Sequence, residues 1–140
     1  SRGFYTRKWY GGIGSPSQSR WSGFFMSGNA ESIIFCFIDD FLTSYWLIEK
    51  HLIDYFILDY IISIGYDNIP SIRKAIDSVP FNNPMTENLA QVLNEVYDKS
   101  VYSSLTKDTF LHKLTWKQEF ISSVNSKESF YGHIMKLSNY

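Results

Sequence analysis

The chain holds a single cysteine, Cys36, among 140 residues. That excludes an intrachain disulfide and a Cys-rich zinc site. Basic residues show no surplus: 13 Lys and Arg stand against 14 Asp and Glu, for a formal charge of −1. A nucleic-acid footprint would need such a surplus, so no nucleic-acid partner is expected. No apolar run reaches the roughly 18 residues that crossing a bilayer requires. The longest candidates are interrupted by Asp39-Asp40 and by Asp54 and Asp59. No signal peptide is visible at Ser1-Arg2-Gly3-Phe4-Tyr5, and the chain opens without an initiating Met. It is read as one domain, residues 1–140, and as a piece of a longer protein.

What is abundant is aromatic. Phe, Tyr and Trp make up 18% and hydrophobic residues 44%, against 19% charged. Such a chain is globular, because it has enough apolar surface to offset the entropy of ordering. The aromatics fit a Tyr-rich core, and also surfaces that stack on sugar rings. Cys36 lies within Ile33-Ile34-Phe35-Cys36-Phe37-Ile38 and reads as a core thiol in a reducing compartment.

Residues 4–10 and Trp21 to Ser27 read as strands, separated by the Gly- and Ser-rich loop 11–19. Asn29 is placed as the N-cap of a long helical stretch, since no Gly or Pro occurs from Ala30 to Ile64. A break is expected near Lys50-His51. Leu52 to Ile64 is apolar almost all round and reads as a buried helix ending on Gly65. Further helices are expected over Pro70–Val79, from Thr86 through a Leu89/Val92/Leu93/Val96 face, and over Lys127–Leu137. Thr109–Trp116 reads as a possible short strand. The whole is mostly α-helical, with a few short strands near its start.

The segment His51-Leu52-Ile53-Asp54-Tyr55-Phe56 carries the best candidate chemistry. On a helix, His51, Asp54 and Tyr55 share one side at spacings of three and four. A carboxylate in an apolar helix needs a partner or a pocket. Asp54 would therefore line a cleft, accepting a hydrogen bond from a sugar hydroxyl or acting as a base, or else cap backbone or pair with a cation. Trp21, with Ser22 beside it, follows the Gly-rich loop. It would stack on a ligand or close the core; because Gly- and Ser-rich loops usually run over the surface, it is placed at a surface cleft rather than deep in the core. Gly11-Gly12-Ile13-Gly14 lacks the dinucleotide spacing. His112 and His133 are isolated, Asp39-Asp40 reads as solvated face, and no metal ligand set is present.

The order of several short motifs resembles the capsular polysaccharide synthesis glycosyltransferases, relatives of the α-1,6-mannosyltransferase-like sugar transferases. The motifs are Arg20-Trp21-Ser22, a helix ending Tyr45-Trp46, His51-Leu52-Ile53-Asp54-Tyr55-Phe56, and Val79-Pro80-Phe81-Asn82-Asn83. The Leu89/Leu93/Tyr97-Asp98 stretch and Phe110-x-x-Lys113-Leu114-Thr115-Trp116-Lys117 complete the series. The resemblance covers roughly residues 4–135 and implies that the chain is the carboxy-terminal part of such an enzyme. It implies an α/β, Rossmann-like fold of the GT-A type, a nucleotide-sugar donor and a glycan acceptor. It also implies a divalent cation, Mn or Mg, held by an Asp-x-Asp motif in the full-length parent. This chain has no such motif, no cofactor of its own is expected, and it is expected to be inactive by itself. Asp54 and His51 are carried over as catalytic or acceptor-side residues, Trp21 and Ser22 as donor-side pocket residues. The implied location is cytoplasmic, at the inner membrane face if the parent associates peripherally. The competing readings are a non-catalytic helical scaffold and an ancillary regulatory protein of a mobile element.

Overall fold

The computed structural model describes residues 3–8 and 15–138. Trp9, Tyr10 and Gly11 to Gly14 lie outside the described residues, and with them the end of the expected first strand and most of the Gly-rich loop. The architecture is mostly helical, with two small antiparallel strand pairs. The chain divides into two compact units, Ser1–Asn82 and Asn83–Tyr140.

In the first unit β1 (Phe4–Thr6) pairs with β2 (Met26–Gly28), Tyr5 facing Ser27. The second strand is therefore shorter and later than expected. Three helices follow: α1 (Ile33–Ile48), α2 (Ile57–Asn68) and α3 (Pro70–Asp77). Helix α1 starts after a turn in which Ser32 N–H donates to the Asn29 carbonyl at 3.0 Å, so Ser32 and not Asn29 is the N-cap. Pro70 opens α3, where its missing N–H costs nothing. The core gathers Trp21, Ile34, Ile62, Ile72 and Ile76, with Phe37, Leu58 and Tyr66 packed against them.

Gly65 does not end α2. It sits inside it, because a Cβ there would stand 2.8 Å from the Phe37 ring and 3.0 Å from Ile72 Cδ1. The expected break between α1 and α2 is present but runs on through Phe56, and α2 begins only at Ile57.

Cys36 is exposed, which corrects its reading as a core thiol. Only one side of α1 is covered, and Cys36 stands about 200° round the helix from buried Ile34. The folded chain should therefore titrate about one equivalent of thiol with Ellman's reagent without denaturant. A thiol that reacts only after unfolding would contradict this placement.

The second unit is built from α4 (Asn88–Val92), α5 (Lys99–Thr106), the hairpin of β3 (Ser123–Val124) and β4 (Lys127–Glu128), and α6 (Phe130–Ser138). Leu89, Leu93, Leu105 and Phe130 form its core. One strand pair thus falls late in the chain, and Lys127-Glu128 belong to a strand rather than to the last helix. Residues 109–116 form no strand. Their backbone is held instead by buried Asn83, whose Oδ1 accepts from the N–H groups of Phe110 (2.7 Å) and Leu111 (2.9 Å).

Among the described residues of this unit, three groups titrate below their ordinary values. Asp98, the N-cap of α5, is held down by hydrogen bonds from the Ser100 hydroxyl and then the Val101 and Ser100 N–H groups. Glu128 is lowered chiefly by Lys136, with His133 adding to it and burial opposing. His112 is lowered by burial, against an opposing backbone hydrogen bond. In each case the unfolded chain binds the proton more readily, so stability rises with pH across the shifted range. The His112 contribution is full above about pH 6.5 and falls below it; the carboxylate contributions are lost below about pH 4. Melting followed by circular dichroism should show lower stability at pH 5 than at pH 8. A flat profile over that span would contradict it.

Candidate functional site

The connector between α1 and α2 carries the candidate site. Tyr45, on the last turns of α1, donates its hydroxyl proton to the His51 carbonyl and accepts from Ile53 N–H at 3.2 Å. One phenol thus ties the connector to the helix it leaves. Asp54 then forms a turn ahead of α2: its Oδ1 accepts from Phe56 N–H at 2.7 Å and its carbonyl from Ile57 N–H at 3.2 Å. This turn is local side-chain capture of backbone, which competes with helix and delays α2.

Asp54 is therefore not on a helix, and the shared helical side with His51 and Tyr55 does not form. The residues from His51 to Phe56 are all exposed. Nor is the carboxylate enclosed by apolar neighbours. It stands at the edge of a groove of about 440 Å³ lined by Phe41, Tyr45, Ile53, Ile57, Tyr60 and Ile64. Across Phe41 and Tyr45 lies a second groove of about 410 Å³, with Asp40 and Ser44 as its polar members. Asp40 thus lines a groove, beyond its reading as solvated face. Two phenols, aliphatic walls and a carboxylate at the margin combine apolar faces with one strong acceptor.

Trp21 is placed elsewhere. It is 0% exposed, packed among Ile34, Ile62, Ile72 and Ile76, which corrects its placement at a surface cleft. A buried indole N–H needs an acceptor. Here Nε1 donates to Asp59 Oδ1 at 2.8 Å, so the carboxylate of α2 is held by the tryptophan. Arg20 stacks over Tyr66 at 4.0 Å and lies 5.1 Å from the Trp21 ring. Ser22 is also buried: its N–H donates to Thr6 Oγ1 at 3.0 Å and its hydroxyl to the Arg7 carbonyl at 3.3 Å.

The structure thus brings Asp54 to a groove with Tyr45 and Tyr60, leaves His51 exposed on the connector, and sets Trp21 and Ser22 in the interior. Tyr60 and the Trp21–Asp59 pair escape the sequence reading. An indole that must find an acceptor and a carboxylate within apolar α2 were the available signals. Among the described residues no three of His, Cys, Asp and Glu converge as a metal ion would require. The described residues therefore do not fit a divalent cation site. Among them, too, no helix is long and apolar enough to cross a membrane.

No curated protein and no solved structure matches the chain. The family model described as capsular polysaccharide synthesis protein matches residues 9–134, spanning both units and every motif from Arg20 to Lys117. By that match, the chain belongs to the capsular polysaccharide synthesis protein family, with a role in capsule biosynthesis.

Proposed function

We propose that this chain is the acceptor-side part of a bacterial GT-A glycosyltransferase that moves a sugar from a nucleotide-sugar donor to a growing capsular glycan. The observation that carries the reading is the groove between α1 and α2. It sets the phenols of Tyr45 and Tyr60 beside the carboxylate of Asp54 in a member of a capsule synthesis family. Sugars present C–H faces that pack on aromatic rings and hydroxyls that donate to carboxylates. Asp54 then orients the acceptor hydroxyl, or takes its proton as the oxygen attacks the anomeric carbon and the nucleoside diphosphate leaves with the bonding pair. His51, exposed on the same connector, is the second proton-handling group. Trp21 contributes from the interior, holding α2 through Asp59, and Ser22 secures the strand that precedes it. The divalent cation belongs to the parent protein's donor side. The parent works in the cytoplasm, at the membrane face if it associates peripherally.

A scaffold reading is favoured by one observation: Leu47, Ile48, Ile53 and Tyr55 are each more than three-quarters exposed. Apolar surface of that kind marks an interaction face. The two readings separate on one assay. The full-length protein, given UDP- and GDP-sugars with Mn or Mg and a capsular oligosaccharide, should release nucleoside diphosphate only when the acceptor is present. No release with any donor would leave the scaffold reading standing.

A further inference from the structure

The second unit contains an ordered array of ionisable side chains that the proposed reaction does not use. It follows from the local fold. Val96 bridges to Ser129, and Tyr97 N–H donates to the Glu128 carbonyl at 2.8 Å, fixing Tyr97 beside the end of β4. Helix α6 then begins, and His133, whose N–H donates to the Ser129 carbonyl at 3.0 Å, projects from its first turn. The imidazole stacks on Tyr97 with centroids 3.8 Å apart and planes 19° apart. The Tyr102 ring meets it edge-on at 5.8 Å.

Ring orientation is set by charge as well. His133 Nδ1 lies 3.3 Å from Glu128 Oε2, and the ammonium of Lys136 lies against the other carboxylate oxygen. An ionised carboxylate only accepts, so Nδ1 must carry the hydrogen. In the neutral ring Nε2 is then an unprotonated acceptor. The side chain is 26% exposed, and Nε2 is neither hydrogen-bonded among the described residues nor among the buried partnerless atoms. It therefore faces solvent with its lone pair available. A carboxylate that orients an imidazole and leaves the far nitrogen free presents that nitrogen as a fixed hydrogen-bond acceptor.

We propose that His133 is a hydrogen-bond-accepting site for a sugar hydroxyl, with Glu128 as its positioning residue. The inference rests on the reading of the protein as one that handles glycans. The hydroxyl donates to Nε2. The Nε2 lone pair accepts that hydrogen bond without proton transfer, and Glu128 holds the imidazole hydrogen on Nδ1. Tyr97 and Tyr102 keep the ring in place.

Long-range proton–nitrogen spectra of the 140-residue chain test this. His133 should show a protonated Nδ1 and a bare Nε2 once neutral. The methyl glycosides of glucose, galactose and mannose serve as probes, and at least one should move the Nε2 resonance. In Glu128→Gln the side-chain amide can donate to Nδ1, so the tautomer should invert and the response vanish while the backbone spectrum is kept. His133→Gln should also abolish glycoside-induced shifts at Tyr97. An Nε2–H tautomer in the unaltered chain, or no movement of His133 with any of the three glycosides, overturns the inference. Tyr45 and Tyr60 report on the groove in the same titration. Their movement with a silent His133 removes this site alone; silence at both removes the carbohydrate reading too.

Discussion

Trp21→Ala should cost the first unit about 3–5 kcal/mol, the range for emptying a large aromatic site in a core. Small domains have only about 5–15 kcal/mol in total, so much of the stability goes with one side chain. Two losses combine. The indole is fully buried among four isoleucines, and its removal leaves a cavity that α1, α2 and α3 cannot all close. The Asp59 carboxylate also loses the Nε1 donor that stands at 2.8 Å. Trp21→Phe separates these losses. It keeps most of the packing and removes the hydrogen bond, so it should cost about 1–3 kcal/mol. Urea denaturation followed by far-ultraviolet circular dichroism measures both. A Trp21→Ala chain within about 1 kcal/mol of the original would mean that the indole lies outside the core, where ordinary surface substitutions have such small effects.

Gly132→Ala should destabilise the second unit, although helix propensity alone gives the opposite sign. Alanine in place of glycine inside a helix normally gains about 0.5–1 kcal/mol. Gly132 is buried in α6, and a Cβ there would stand 2.2 Å from the Ser122 carbonyl oxygen and 3.0 Å from its carbonyl carbon. That neighbour is backbone. It is fixed because Ser129 N–H donates to the same Ser122 carbonyl at 3.1 Å, while the Ser129 hydroxyl bonds the Ile121 carbonyl and accepts from Gly132 N–H at 2.9 Å. The methyl group must push the 121–123 segment off α6. A loss of about 3 kcal/mol is expected, at the upper end of overpacking costs. A rise in melting temperature would show that propensity outweighs the close approach.

Much of the helical framework is legible in the residues. Pro70 marks a helix start because only the first turn tolerates it. Leu89, Val92 and Leu93 face the core as their pattern predicts, whereas Val96, expected on the same face, is exposed beyond the end of the short α4; the break near Lys50 follows from the length of the apolar stretch. Two of the differences share one cause: apolar character does not by itself mean burial. Leu52, Ile53, Tyr55 and Phe56 suggested a buried helix, yet they stand exposed in a connector. Asp54 captures backbone N–H groups there and delays the next helix. Cys36 sits among apolar residues on a helix covered along one side only. Trp21 went the other way: the loop before it suggested surface, and the isoleucines that bury it come from three helices far along the chain. Helix α5 escaped notice although Asp98, bonded to the Ser100 and Val101 N–H groups, is an ordinary N-cap signal. The groove was half legible. Asp54 stood out by its charge, whereas Tyr45 and Tyr60 joined it only through the packing of α1 on α2.

The glycan-binding role proposed for the groove turns on Asp54, and its exposed position makes the test clean. Asparagine keeps the oxygen that accepts from Phe56 N–H, so Asp54→Asn should change stability by less than about 0.5 kcal/mol. It removes the charge that would bind or deprotonate an acceptor hydroxyl, a group whose catalytic contribution is typically about 10²–10⁴-fold. Melting temperature and sugar transfer should be measured on the same preparation of full-length Asp54→Asn protein. An unchanged melting temperature with transfer reduced by about two orders of magnitude or more is the expected result; an unchanged melting temperature with unchanged transfer would remove Asp54, and the groove it marks, from the site.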